Sequence, residues 1–228
     1  MANGKELLRV TELYRYPEHS IAYPLLCRFE YPWEALSFIS DFILEMGATL
    51  SEEEYDQIGE NVWIAKSASV AKTACINGPC IICADAEIRH CAFIRGSAIV
   101  GAGAVVGNST ELKNCILFDG VQVPHYNYVG DSILGYKSHM GAGSITSNVK
   151  SDKTLVTVNM GEEKVETGRK KFGAMLGDFV EVGCNSVLNP GTVVGPHSNI
   201  YPLSPVRGYV PANSIYKARN CIVSKKKD

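Results

Sequence analysis

His125 sits in the stretch Val121, Gln122, Val123, Pro124, His125, Tyr126, Asn127, Tyr128, Val129, Gly130, Asp131, between a proline and two tyrosines. Imidazole is the side chain best able to take up a proton near neutral pH, so His125 is a candidate general base. Lys113 lies 12 residues upstream and Arg95 a further 18. Two cations beside one proton acceptor suit a phosphorylated substrate. A plainer reading is also open, in which the histidine packs a corner among aromatics and the cations merely keep a surface solvated. The choice depends on whether the chain folds so as to gather these side chains.

The elements that would gather them are written in a six-residue repeat. Aliphatic anchors recur at Ile64, Val70, Ile76, Ile82, Ile88, Ile94, Val100, Val106 and Leu112, slip one position to Leu117, Val123 and Val129, and slip again to Leu134 and Met140. After an insertion the series returns as Leu176, Val182, Leu188, Val194, Ile200 and Val206. Four residues after each early anchor stands a small side chain, namely Ala68, Ala74, Cys80, Ala86, Ala92, Ala98, Ala104 and Thr110. A short strand followed by a tight corner needs both rules at once, which predicts an all-β parallel solenoid with coils stacked about 4.8 Å apart. One coil takes about 18 residues, so Arg95 and Lys113 should stack as a basic ladder, with His125 near the next layer once the slip is allowed for. Stacked cations cost energy unless an anion joins them, which favours a site.

Residues 1–60 lack the repeat. Pro32 should open a helix carrying Leu36, Ile39, Phe42, Ile43 and Met46 and ending at Gly47, and Ser51 with Glu54 has the form of a capping box for a second one. Together they suit a lid over the open first coil. The solenoid is expected over 61–210, interrupted at 149–172 by a protruding hairpin or loop around Gly161, and followed by a tail over 211–228. Such an insertion marks a binding face or buttresses a neighbouring subunit.

A net charge of −2 with scattered Lys and Arg gives no field to gather nucleic acid, and Lys225, Lys226 and Lys227 form only a short basic tail. There is no apolar run long enough for a membrane span, and the polar start from Met1 through Glu6 is unlike a signal peptide, so a cytoplasmic location is expected. Cys80 and Cys83 form a Cys-x-x-Cys pair with Cys75 and Cys91 nearby. In the repeat register, however, Cys80 takes a small inward position, so no metal and no disulfide is expected.

Val106, Gly107 and Asn108, then Glu111, Leu112 and Lys113, then His125, Tyr128, Gly130 and Asp131, and finally Gly141, Ala142, Gly143, Ile145, Thr146 and Asn148, resemble the acetyltransferase domain of bifunctional N-acetylglucosamine-1-phosphate uridyltransferases. The similarity resumes at Leu176, Gly177, Asp178, Val182 and Gly183, covering most of residues 62–206. It implies a left-handed parallel β-helix, a homotrimer with sites at the clefts between subunits, and acetyl-CoA as acyl donor. By position, it implies that His125 deprotonates the amine of an amino-sugar phosphate such as glucosamine-1-phosphate. Arg95, Lys113 and Lys171 would hold the sugar phosphate, Tyr128 and Asn148 would line the sugar pocket, and Ala142 and Cys184 would contact the carrier. His139 stands where the family has Asn, and Cys184 where it has Ser. No Gly-rich nucleotide loop precedes Arg95, so the resemblance is to the acetyltransferase half alone and UDP-sugar synthesis is not expected.

Two other readings remain. The chain could be a non-catalytic trimer that binds sugar phosphate or partners a separate nucleotidyltransferase. A zinc carbonic anhydrase on this fold would need three histidines, and His90, His125 and His139 are available, but the gap from 125 to 139 is too long for that family's close pair.

Overall fold

The computed structural model describes residues 4–219 and 221–225; Met1–Asn3 and the tail residues Lys226 and Lys227 lie outside the described residues. The chain forms a left-handed parallel β-helix of about 9 turns. Each coil has three short strands, so the solenoid has three faces. The first face stacks Val62–Ala65, Cys80–Ile82, Ala98–Val100, Ala174–Leu176, Thr192–Val194 and Tyr209–Val210, with the C-terminal halves of Glu111–Leu117 and Tyr128–Leu134 between them. The second runs from Ser69–Val70 through Gln122–His125 and His139–Met140 to Ser214–Ala218. The third contains Cys75–Ile76, Phe93–Ile94, Ile145–Thr146, Val187–Leu188 and Pro205–Val206, with the N-terminal halves of the two long strands.

The anchors form continuous internal columns. On the first face Ile64, Ile82, Val100, Leu117, Leu134, Leu176, Val194 and Val210 pair in register. The slips mark coils shortened by one residue, from Val100 to Leu117 and from Leu117 to Leu134. Where the series lacks an aliphatic residue, buried Thr146 fills the place, paired with Leu188, and its Oγ1 accepts the Gly130 N–H at 2.9 Å. Most corners turn through a left-handed residue, among them Asp85 (φ +56°), Asn114 (φ +50°), Tyr126 (φ +54°) and Asp131 (φ +48°). Gly107 must lack a side chain, because a Cβ there would lie 1.6 Å from the Pro124 carbonyl oxygen on the next coil.

The N-terminal segment lies along the first face up to Gly47, and its last residues, Tyr55–Gly59, cover the open edge strand of the first coil. The outward residues of that face, Ile81, Ile99, Ile116, Ile133, Met175 and Val193, stack in register and are apolar, so the face requires a cover along its whole length. All are fully buried, each contributing about 1.5–3 kcal/mol relative to exposure. Leu8, Leu13, Tyr14, Leu26, Trp33, Leu36, Ile39 and Ile43 supply the covering layer, and Trp33 stacks on Phe172 at 5.5 Å. Pro32 opens a 3-10 turn, Pro32–Ser37, and the α-helix proper is Ile39–Gly47. The expected helix at Ser51 is instead a turn, in which the Ser51 carbonyl accepts Glu54 and Tyr55 N–H groups, leading into Tyr55–Gly59. No apolar helical stripe follows Ser51, and the chain instead pairs antiparallel with Val62–Ala65. The solenoid also runs past 210: Ser214–Ala218 pairs in register with Asn199–Ile200, and Cys221–Ser224 returns antiparallel along its edge.

Asp178 staples the cover to the coils. Its carboxylate accepts Arg15 N–H at 2.6 Å and Tyr136 N–H at 2.9 Å, while its own N–H donates to Leu13 O at 3.1 Å. Burial pushes this carboxyl up to about 6, against the two N–H donors that hold it down. The folded state therefore binds this proton more tightly than the unfolded chain, and the associated stability is complete below about pH 4 and lost as pH rises through 6. Relative to Asp178→Asn, the wild type should lose up to about 3 kcal/mol between pH 4 and 7 in urea unfolding. A difference that does not vary with pH would contradict the raised carboxyl.

Candidate functional site

Arg95 and Lys113 do stack on consecutive coils at the end of the third face, fixed by the Phe93–Glu111 and Ile94–Leu112 pairs. The ladder carries its own anions. Arg95 Nη1 meets Glu111 Oε1 at 2.7 Å, and Lys113 Nζ meets both oxygens of Asp131 at 3.0 and 3.1 Å. The charge argument for an external anion at these two residues therefore falls away.

Asp131 is the centre of this corner. Its side chain is 3% exposed and also accepts Asn114 Nδ2 at 2.8 Å and Asn148 Nδ2 at 2.5 Å. Asn148 Nδ2 also reaches the Tyr128 hydroxyl at 3.2 Å. Tyr128 folds its hydroxyl over Gly130, where a Cβ would lie 2.4 Å from it, and its pKa is raised by burial and then by the Asp131 charge. Below, burial pushes the Cys115 thiol up to about 12, with Asp131 adding to the effect. The result is a polar floor of carboxylate, ammonium, amide and phenol, suited to hydroxyl and amine groups of a sugar. Lys171 lies at its rim: the next residue, Phe172, donates its N–H to Asn148 O at 3.0 Å.

His125 belongs to the neighbouring corner, between the second and third faces. It pairs with Asn108 and does not join the Arg95–Lys113 column. Its side chain is exposed, outside the coil. The turn is fixed from beneath by buried Asn127, whose Oδ1 accepts the His125 N–H at 3.1 Å and whose Nδ2 donates to Gly141 O at 2.9 Å and Ser144 O at 3.0 Å. Gly143 N–H donates to His125 O at 2.9 Å, and Asn185 N–H to Ala142 O at 2.8 Å, so Ala142 and Cys184 follow His125 on successive coils. Beside it Tyr126 is 63% exposed. Tyr128, three residues on, joins the two corners along one face, roughly 10 Å or less from His125 at strand rise.

The remaining candidates stand apart. His139 Nδ1 pairs with Glu181 Oε2 at 2.9 Å on the second face, and His90 Nδ1 meets Thr73 Oγ1 at 2.6 Å. Among the described residues no three His, Cys, Asp or Glu side chains converge as a metal site. Cys80 and Cys83 are buried, and desolvation pushes the Cys83 thiol up to about 12.

The insertion leaves the coils after Asn148 as a hairpin, Thr157–Met160 against Glu163–Glu166, turning at Gly161 (φ +68°). It lies along the same corner, against Gly191 and Gly208, where a Cβ would come within 2.5 Å of the Thr157 and Asn159 carbonyl oxygens. Beyond the hairpin, Arg169 donates Nη1–H to Ser37 Oγ at 2.7 Å, and burial lowers its pKa against the opposing pull of the Asp131 charge.

Residues 76–203 match the family model for the GMPPB C-terminal domain. A curated relative, the bifunctional protein GlmU of Methanococcus maripaludis, is 33% identical over 201 residues, covering 87% of this chain and 49% of the relative. A bifunctional sugar-1-phosphate nucleotidylyltransferase/acetyltransferase of Sulfurisphaera tokodaii is 31% identical over 126 residues, or 55% of this chain and 31% of that protein. The chain thus spans about half or less of these relatives. Among solved structures, the acetyltransferase domain of PglB from Neisseria gonorrhoeae superposes with a TM-score of 0.37 at 17% identity, covering 77% of this chain and 63% of that one.

Proposed function

Because this chain belongs to the GMPPB C-terminal domain family, and one of its curated relatives carries a name that includes acetyltransferase, we propose that it is an acetyl-CoA-dependent acyltransferase acting on an amino-sugar phosphate or a related nucleotide-linked sugar. The observation that carries this reading is the exposed His125 on a corner fixed by Asn127, with Ala142 and Cys184 in line on the following coils. An ammonium group is no nucleophile, so His125 takes a proton from the acceptor amine. The amine attacks the thioester carbonyl, a C–N bond forms, the C–S bond breaks, and the sulfur leaves as CoA, which recovers a proton. Ala142 and Cys184 border the carrier, and their small side chains let it approach the coils closely.

Tyr128, Asn148, Lys113 and Asp131 orient the sugar, and Lys171 stands at the edge for its phosphate. Holding amine and thioester side by side supplies much of the rate. As in the family it resembles, the protein works as a homotrimer, with the cleft between subunits completing each site.

A crystal grown with CoA tests this arrangement. The pantetheine arm should run beside Cys184 and Ala142 toward His125; a carrier bound on another face, or none at saturating CoA, would overturn the assignment.

A further inference from the structure

One buried side chain joins the base-bearing coil of the proposed site to the coil that borders the carrier. Beneath the corner between the second and third faces, successive coils place Ala92, Thr110, Asn127, Ser144, Ser186 and Ser204 at the same inward position. The series turns polar one coil before His125 and stays polar through the coils of Ala142 and Cys184, and every polar member is buried. Asn127 is its one carboxamide and is 2% exposed.

A hydroxyl at this position has one proton to donate, whereas a carboxamide has an acceptor and two donors. Asn127 divides them between two coils. Its Oδ1 accepts the His125 N–H at 3.1 Å, and its Nδ2 donates to Gly141 O at 2.9 Å and Ser144 O at 3.0 Å on the following coil. Two carbonyls and one N–H admit a single orientation of the amide. Gly143 N–H donates to His125 O at 2.9 Å, so both polar groups of the His125 backbone are tied, and the turn that ties them contains Ala142. Tyr126, between His125 and Asn127, is kept at φ +54°, a left-handed conformation that a tyrosine seldom adopts. From the preceding coil Thr110 Oγ1 accepts the Asn127 N–H at 3.3 Å and donates to Val123 O at 2.9 Å.

We infer that Asn127 is a positioning residue for acyl transfer, which acts through the His125 backbone and fixes the imidazole relative to the turn that borders the carrier. The inference rests on the transferase reading above and adds to it the residue that sets base and carrier in register.

The test is a double-mutant cycle on the full chain. Asn127→Ser places there the residue that later coils already carry as Ser144, Ser186 and Ser204, so the coil should close; Asn127→Thr, after Thr110, takes its place if the serine variant does not fold. Ser198→Ala is the control, because it removes a buried hydroxyl that donates to Pro211 O at 2.7 Å beneath another corner. Asn127→Ser should lower kcat by at least about 10-fold, since a small misplacement of a reacting group costs up to roughly 100-fold, with the KM for acetyl-CoA and the control close to wild type. In the His125→Ala background the same substitution should cost nothing further. A kcat within about 2-fold of wild type, an equal loss in Ser198→Ala, or the same fold loss with and without His125 would overturn the inference. NMR of the His125 ring supplies an arm that needs no turnover: saturating CoA should shift its signals in wild type and Ser198→Ala, and much less in the Asn127 variant. That pattern in a chain that acetylates no acceptor would refute the transferase reading and leave the positioning in place, whereas equal shifts throughout would overturn the positioning itself.

Discussion

His125→Ala should lower kcat for acyl transfer by roughly 100-fold to 10,000-fold, the range expected when a general base is removed from a step that needs one. The ring lies outside the coil and its backbone N–H, not its side chain, is bonded to Asn127, so the fold should not change. Thermal unfolding within about 1 °C of wild type would show that the loss is chemical. The KM for acetyl-CoA should hold steady, since Ala142 and Cys184 remain in place. A variant that keeps a third or more of the wild-type rate would remove His125 from the mechanism. A loss confined to KM would recast it as a binding residue.

Asp131→Ala should cost about 3 kcal/mol of stability as well as activity. The change strands Lys113 and withdraws the acceptor shared by Asn114 and Asn148. Breaking a buried pair from one side costs about 3–5 kcal/mol, and water reaching the partly exposed lysine relieves part of this. Removing the second charge should help: Lys113→Met in the Asp131→Ala background should recover some stability, because no lone ammonium then remains. Urea unfolding of both single variants and the double variant measures this directly. An Asp131→Ala chain within about 1 kcal/mol of wild type would show the cluster to be decorative.

The solenoid was legible because its rule is local. An anchor at every sixth position and a small residue four later specify strand and corner without reference to distant sequence, and the columns from Ile64 to Val210 follow. Even the one-residue slips could be read, since the first moves three successive anchors together and the second moves two. What could not be read was set across coils. Asp131 meets Lys113 because the shortened coil sets Gly130 beside Lys113, and that neighbour is visible only after the register is counted. Glu111 likewise reaches Arg95 from the next coil. Asn127 was passed over beside the more conspicuous His125, although a polar residue buried at a turn is a signal in itself. The cover along the first face was hidden for a different reason. Its signal is the outward run of Ile81, Ile99, Ile116 and Ile133, which appears only when coils are stacked. Separately, Ser51 has the form of a helix start, but the apolar periodicity that would sustain a helix is missing after it.

The most direct measurement is turnover itself: wild type and His125→Ala incubated with acetyl-CoA and a panel of amino-sugar phosphates and nucleotide-linked amino sugars, reading free thiol and acceptor mass together. The account predicts that wild type releases CoA in step with one acceptor gaining a single acetyl group, and that the variant does neither at a comparable rate. An acceptor that binds wild type while no thiol appears and no mass changes would contradict it.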